Sequence, residues 1–263
     1  MQREMKRVLS LAAVVALALT AFGTVRADGW GNIKGQVVWG EKEIPKRAQV
    51  KVDKDTEACE KQGKLLDDKL VINPKNGGVR WCVVYLMDVS GFDKNIPIHP
   101  KLKTIQQKTV EIDQPCCQFE PHMLAIREGQ TLIVKNSAAI AHNVNFQGGT
   151  KGPNINQITP PGGSLKLEDI AARYIPIQVA CNIHGWMSSR VAVLKNPYFA
   201  VTDADGNFEI KDAPAGNFRL VIWHEASGWV IGDKQPDKKG KKIVIENDKT
   251  TDLGQILLKP AKD

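Results

Sequence analysis

Residues 119–146 read FEPHMLAIREGQTLIVKNSAAIAHNVNF, and this stretch contains two runs that are typical of strands, QTLIVKN and HNVNF. Both runs are short, are rich in β-branched or aromatic residues and lie next to turn-forming residues. Comparable runs recur on either side, namely IKGQVVW, VRWCVVYLM, YIPIQVAC, RVAVL, NFEIKD and NFRLVIWH. The clusters NPKNGG, QGGTKGPN, TPPGG and DADGN predict turns between them. The sequence therefore predicts an all-β protein.

A further run, VACNIHGWM at residues 179–187, places Cys181, His184 and Met187 three positions apart. His142 follows an earlier strand-like run and a short turn, and lies 39 positions before Cys181 (181 − 142). Two imidazoles, a thiolate and a thioether are the donor set of a type-1 copper site, in which two His and one Cys bind in a plane and Met binds weakly along the axis. Methionine is a poor zinc ligand, so this set favours copper over zinc. A buried cysteine, a hydrogen-bonded histidine and a core methionine without any metal are the alternative interpretation. His122 is a candidate for a second, weaker metal site.

These residues belong to a longer stretch, 117–194 of the 263 residues, that resembles a cupredoxin of the plastocyanin and amicyanin group. The resemblance rests on Phe119-x-Pro121, a turn at Gly129, Lys135-Asn136, His142-Asn143, the VACNIHGWM loop and the RVAVL strand. It implies a cupredoxin Greek-key β-sandwich that binds one type-1 (blue) copper ion. The residues at the family's ligand positions are His142, Cys181, His184 and Met187. It also implies that Asn143 forms hydrogen bonds to the ligand loop.

The ligand loop departs from the group at one point, since residues 182–186 contain no proline. Ile183 therefore keeps its backbone N–H, which we expect to donate a hydrogen bond to the Cys181 sulfur. Such a bond to the thiolate would favour the reduced state. The sequence thus predicts a higher reduction potential than a proline-containing loop would give.

The resemblance implies a one-electron carrier rather than an enzyme, because four protein ligands leave no open position for a substrate. Electrons are expected to pass through the outer edge of His184, which in cupredoxins lies under an apolar patch. The residues expected to form this patch are Ile183, Gly185, Trp186, Pro160 and Pro161. The implied partner is a redox protein such as a c-type cytochrome or a dehydrogenase. The alternative is a periplasmic or cell-surface binding module, or a copper buffer without redox turnover.

The two ends of the chain resemble a different β-sandwich, that of carboxypeptidase-regulatory-like or transthyretin-like domains. GWGNIKGQVVWG and GGVRWCVVYLMD match its opening strands, and VTDADGNFEIKDAPAGNFRLVIWHE matches its closing strands. The gap between them is too long for a loop. We therefore expect residues 28–108 and 196–263 to form the two parts of this second sandwich, with the cupredoxin domain inserted at 109–195. Two domains in sequence, with an independent N-terminal region, are the alternative.

The first 27 residues are typical of a secretory signal peptide, because Arg3, Lys6 and Arg7 precede an apolar run that ends in a small-x-small cleavage pattern at Ala27. We expect a periplasmic or otherwise exported protein without a stable membrane span after cleavage. Loss of this segment lowers the formal net charge from +7 to +4, since it carries four basic residues and one acidic residue. That modest charge, without a basic stripe that carries aromatic residues, argues against nucleic-acid binding.

The five cysteines are an odd number. With Cys181 assigned to copper, Cys59, Cys82, Cys116 and Cys117 remain, and three disulfide connectivities are open to them. Adjacent cysteines on an extended segment point to opposite faces and cannot easily bond each other. We therefore favour Cys59–Cys117 and Cys82–Cys116. Four free thiols, or copper binding by the adjacent pair, are the alternatives.

Overall fold

A computed structural model of the protein describes residues 29–230 and 239–260, and the regular secondary structure of these residues is almost entirely β-strand, which confirms the predicted fold class. One α-helix (α1) spans Thr56–Cys59, and 3-10 helices span Pro100–Leu102 and Gly149–Lys151. No helix in this described part is long and apolar enough to cross a membrane, and the predicted signal peptide lies outside it. The strands, β1 to β16 in chain order, are Trp30–Trp39, Val83–Asp88, Thr109–Ile112, Met123–Arg127, Thr131–Lys135, His142–Gln147, Asn154–Thr159, Ser164–Leu167, Ile177–Ala180, Ser188–Leu194, Phe199–Val201, Asn207–Pro214, Gly216–His224, Gly228–Val230, Lys241–Ile245 and Thr250–Leu258.

Strands β3 to β10 form a β-sandwich of two sheets, which we call the central sandwich. One sheet has the order β4-β10-β9-β6-β7 and the other the order β3-β5-β8. Side chains alternate between the two faces of a strand, and in β5 Leu132 and Val134 are buried while their neighbours are partly exposed. Phe119 and Phe146 fill the space between the sheets together with these residues. The alternating pattern of the sequence therefore places one face of each sheet in a shared apolar core.

The strands that precede and follow the central sandwich in the sequence pair with each other and form a second pair of sheets, which we call the outer sandwich. Strand β1 pairs antiparallel with β12 and parallel with β16, although the chain between β1 and β12 includes the whole central sandwich. Strand β2 lies between β11 and β13 in the second sheet, which also contains β14 and β15. The transthyretin-like resemblance and the predicted domain limits remain predictions.

Strand β2 joins the two sandwiches, because both of its faces are buried. Val84 and Leu86 point into the core of the outer sandwich. The opposite face packs against strands β4 and β10 of the central sandwich in an apolar cluster that contains Val83, Tyr85, Met87, Met123, Ala192 and Leu194. A strand buried on both faces reads as a continuous apolar run, as VVYLM does here.

The connection between β1 and β2 crosses to the central sandwich. Its residues 48–68, which we call the cap segment, contain α1 and are closed by backbone hydrogen bonds between residues 48–50 and 65–67. Leu65 of the cap segment packs into the core of the central sandwich. The expected disulfide between Cys59 and Cys117 is present, with a Cα–Cα distance of 5.3 Å, and joins the cap segment covalently to the central sandwich.

The predicted Cys82–Cys116 bridge is wrong, since both thiols are free. Cys82 lies in the core of the outer sandwich, where burial raises the pKa of its thiol to about 12. Cys116 is half-buried on the loop before β4 of the central sandwich. The two cysteines therefore belong to separate sandwiches. The pairing of Cys117 with Cys59 does not imply that the neighbouring Cys116 pairs with Cys82.

Candidate metal centre

The pairing of β6 with β9 brings two distant parts of the sequence together. Asn145 lies opposite Ala180 in this antiparallel pair, so the start of β6 lies beside the end of β9. His142 is the first residue of β6, and Cys181 directly follows β9. The sheet register therefore places His142 next to Cys181.

The ligand loop, residues 181–187, is a compact connection from β9 to β10. The Cys181 N–H donates to the Met187 carbonyl at 3.1 Å, and the Met187 N–H donates to the His184 carbonyl at 2.9 Å. These two bonds hold the loop ends together and turn the His184 side chain back toward Cys181. Met187 is 1 % exposed and packs in the same core cluster as Cys181.

The side chains of His142, Cys181 and His184 converge at the end of the central sandwich. One nitrogen of each imidazole and the Cys181 Sγ all lie within 4.8 Å of one another. The two Nδ1 atoms are 2.9 Å apart, and the His184 Nδ1 lies 4.0 Å from the Cys181 Sγ. All three residues are buried, at 0 %, 2 % and 0 % exposure. These separations allow one ion to contact all three atoms, so the three residues fit a copper ion, and Met187 lies in the same loop.

Backbone hydrogen bonds to the sulfur and burial of one imidazole characterise the surroundings of these donors. The backbone N–H groups of Asn143 and His184 each donate to the Cys181 Sγ at 3.4 Å, and hydrogen bonds to a thiolate stabilise its charge. Burial, followed by the neighbouring His184, lowers the pKa of His142 to about 4. His142 is therefore neutral at pH 7, as a metal ligand must be.

Asn143 forms the expected hydrogen bonds to the ligand loop. Its Oδ1 accepts from the backbone N–H of Asn182 and, at 3.2 Å, from that of Ile183. The expectation that the Ile183 N–H donates to the Cys181 sulfur is therefore wrong. An amide oxygen is a stronger acceptor than sulfur and accepts from the Ile183 N–H, while the backbone N–H groups of Asn143 and His184 donate to the sulfur. The predicted rise in reduction potential rested on a hydrogen bond from the Ile183 N–H to the sulfur, and this bond is not formed.

The outer edge of His184 is covered by the cap segment. Its Nε2 lies 2.8 Å from the Asp55 Oδ2, and the sulfurs of Cys59 and Cys117 both lie within 4.8 Å of a His184 nitrogen. The Trp186 ring centroid lies 5.1 Å from that of His184, and the Trp186 Nε1–H donates to the Cys117 carbonyl at 3.1 Å. A carboxylate therefore contacts the edge that was expected to lie under an apolar patch, and a disulfide lies close to the same ring.

Three of the expected patch residues, Ile183, Gly185 and Trp186, lie in the ligand loop itself, and the His184 Nε2 contacts Asp55. Gly185, Pro160 and Pro161 are exposed, whereas Ile183 and Trp186 are half-buried. Their role in docking a redox partner stays a prediction.

The sequence reasoning did not identify Asp55 as part of the site. Asp55 is 129 residues away from His184 along the chain. One signal could have found it, namely the expected bond between Cys59 and Cys117, because Asp55 lies one helical turn before Cys59. The lengths of the surrounding loops do not predict which side of the sandwich that turn would cover.

His122 has a different environment. Its Nε2 lies 2.7 Å from the Glu225 Oε2, and the Glu225 Oε1 accepts from Arg190 Nε at 3.0 Å and Nη2 at 2.9 Å. Among the described residues, two groups of potential metal ligands occur, and His122 belongs to neither. The first group is His142, Cys181 and His184, and the second is Cys59, Cys117 and His184. His122 therefore joins the two sandwiches through a hydrogen bond to Glu225, which is ion-paired with Arg190, and the geometry gives no support to a second metal site there.

No family model matches the chain, and no curated protein matches it. Among solved structures, a purple cupredoxin from Nitrosopumilus maritimus is similar at 20 % identity, with a TM-score of 0.27, over 32 % of this chain and 97 % of that protein. A mutant of amicyanin in its Cu(I) form is similar at 18 % identity, with a TM-score of 0.30, over 48 % of this chain and 99 % of that protein. A Cu-containing nitrite reductase from Thermus scotoductus SA-01 is similar at 15 % identity, with a TM-score of 0.30, over 38 % of this chain and 27 % of that protein. These similarities are weak and partial.

Proposed function

We propose that this chain is an exported type-1 copper protein that carries single electrons between redox partners. The observation that carries the proposal is the convergence of two Nδ1 atoms and one Sγ within 4.8 Å in a buried site at the end of the central sandwich. The proposed ligands are His142, Cys181, His184 and Met187. A copper ion bound there would supply a one-electron couple, since this mixed donor set accommodates both Cu(I) and Cu(II).

The protein's own residues would hold the donors in one arrangement. Asn143 connects the start of β6 to the ligand loop, and the hydrogen bonds between Cys181, His184 and Met187 close that loop on itself. Because the donor residues are buried, water has little access to them. A rigid, dry site of this kind changes little between two oxidation states, which is what rapid electron exchange requires. We expect no substrate turnover, because the four donors leave no open position.

We further propose that residues 109–195 are a cupredoxin domain inserted into a transthyretin-like sandwich. The pairing of β1 with β12 and β16 supports an insertion, since strands before and after the central sandwich share one sheet. Export, and a redox partner such as a c-type cytochrome or a dehydrogenase, are parts of the same proposal.

A copper buffer is the second candidate, and the covered edge of His184 favours it. A carrier needs an edge of its centre close to the partner, whereas here Asp55, the disulfide and Trp186 surround the His184 ring. A buffer has no need of such contact.

The absorption and EPR spectra of the copper-loaded protein test the proposal. We expect an intense sulfur-to-copper band toward the red end of the spectrum and reversible one-electron chemistry. Cys181→Ser should abolish the band, whereas Cys116→Ser, which changes a free thiol outside the donor group, should keep it. A colourless protein that binds only Cu(I) would support the buffer. A band that survives in Cys181→Ser would refute the proposed centre.

A further inference from the structure

The His184 ring has two nitrogens in different surroundings. Its Nδ1 faces the donor group, 2.9 Å from the His142 Nδ1 and 4.0 Å from the Cys181 Sγ. Its Nε2 lies on the opposite edge, 2.8 Å from the Asp55 Oδ2. A neutral imidazole carries one N–H, and the hydrogen bond of one nitrogen determines which nitrogen is free to bind a metal. A carboxylate accepts hydrogen bonds only, so in the neutral ring this contact requires the N–H on Nε2 and leaves the lone pair on Nδ1, which faces the donor group.

His142 provides a comparison within the same site. Its Nε2 is buried and, among the described residues, has no hydrogen-bond partner. The carboxylate contact is therefore specific to His184 and is not a general feature of the two histidines. Metal-binding histidines usually donate their second N–H to a carboxylate or carbonyl, which fixes the ring and raises its basicity.

The position of Asp55 is held by several restraints. Its backbone adopts a left-handed conformation with φ 47°, and its carbonyl accepts from the N–H groups of Ala58 at 3.0 Å and Cys59 at 2.9 Å. Cys59 is bonded to Cys117, whose carbonyl accepts from the Trp186 indole. The side chain of Asp55 is 49 % exposed, so water reaches one side of the carboxylate while the other side contacts His184. The cap segment thus brings a charged group to the ring from outside the central sandwich.

We propose that Asp55 is a positioning residue of the metal centre, which fixes His184 with its Nδ1 toward the metal and lowers the reduction potential. This inference rests on the proposed copper function. A negative charge in contact with the ligand ring stabilises Cu(II), which carries the higher charge, more than Cu(I). The carboxylate also raises the basicity of the ring, which acts in the same direction.

Asp55→Asn is the matched test, because the amide has nearly the same shape and keeps an oxygen that can accept from the His184 Nε2–H. It removes the charge only. We expect the preference for Cu(II) over Cu(I) to fall about tenfold, which for a one-electron couple is a rise of about 59 mV in reduction potential. Asp53→Asn is the control, since it removes an identical charge from an exposed residue on the same cap segment. Its potential should shift much less.

A second readout needs no copper. Nitrogen-15 NMR of the metal-free protein should show His184 with its proton on Nε2 in the wild type and in Asp55→Asn, and a mixture of the two tautomers in Asp55→Ala. A wild type without a type-1 spectrum would refute the proposed function, and the NMR result would still decide whether Asp55 fixes the ring. A blue wild type in which Asp55→Asn shifts the potential no more than Asp53→Asn would overturn the inference about Asp55. An unchanged tautomer in Asp55→Ala would overturn it as well.

Discussion

Removal of the Cys59–Cys117 disulfide should strongly destabilise the folded protein. The bond closes a loop with a sequence separation of 58 residues. A loop of this length reduces the conformational entropy of the unfolded chain by an amount that corresponds to about 4 kcal/mol at 25 °C. The same bond holds the cap segment against the central sandwich, so its loss also releases the cover of His184. We therefore expect the double variant Cys59→Ser/Cys117→Ser to lose about 4 kcal/mol of unfolding free energy.

Urea unfolding of the metal-free proteins at pH 7 measures this difference. Cys116→Ser is the matched control, because it changes the neighbouring free thiol and should alter the unfolding free energy by no more than about 0.5 kcal/mol. Thiol titration of the denatured, non-reduced wild type should find three free thiols, those of Cys82, Cys116 and Cys181. Five free thiols, or a Cys116→Ser variant as unstable as the double variant, would refute the assigned pairing.

Two further substitutions test the hydrogen bonds around the site and between the sandwiches. Asn143→Ala removes the acceptor of two backbone N–H groups in the ligand loop and should lower the unfolding free energy by about 2 kcal/mol. Asn145→Ala loses only exposed side-chain hydrogen bonds, one to Asn182 and one from Gln147, and should have a much smaller effect in the same urea assay. Equal losses would contradict the role assigned to Asn143. The second substitution concerns Glu225. Burial alone would raise the pKa of this carboxyl, but its hydrogen bonds to His122 and Arg190, together with their charges, outweigh burial and lower the pKa to about 2. A lowered carboxyl pKa stabilises the fold above the ordinary value of 4.5, and this contribution is lost as the pH falls toward 2. Glu225→Gln should therefore be less stable than the wild type at pH 7, with a difference that shrinks between pH 4.5 and pH 2; a difference independent of pH would show that the ion pair is not its cause.

The fold class could be predicted because strand patterns are local. The alternation in β5 and the continuous apolar run in β2 both follow from which faces are buried, and both are visible in a few consecutive residues. The position of His142 beside Cys181 depends on the pairing of β6 with β9. No local pattern states that pairing, and the resemblance to cupredoxins supplied it.

The parts of the site that could not be predicted come from distant segments. Asp55 reaches His184 from 129 residues away, and its approach depends on how the cap segment crosses between the sandwiches. The amide of Ile183 bonds to Asn143 instead of the sulfur because the oxygen lies within reach, which is a detail of side-chain geometry. Cys82 is a core residue of the outer sandwich, and a count of cysteines cannot distinguish such a thiol from a bridged one.

The central claim is that one sulfur and two imidazole nitrogens share a single copper ion, and X-ray absorption at the copper edge tests it most directly. The spectrum of the Cu(II)-loaded wild type should show one short copper–sulfur bond and two nitrogens with the scattering pattern of imidazole rings, and the sulfur should disappear in Cys181→Ser. A coordination shell of nitrogen and oxygen alone in the wild type would contradict the account.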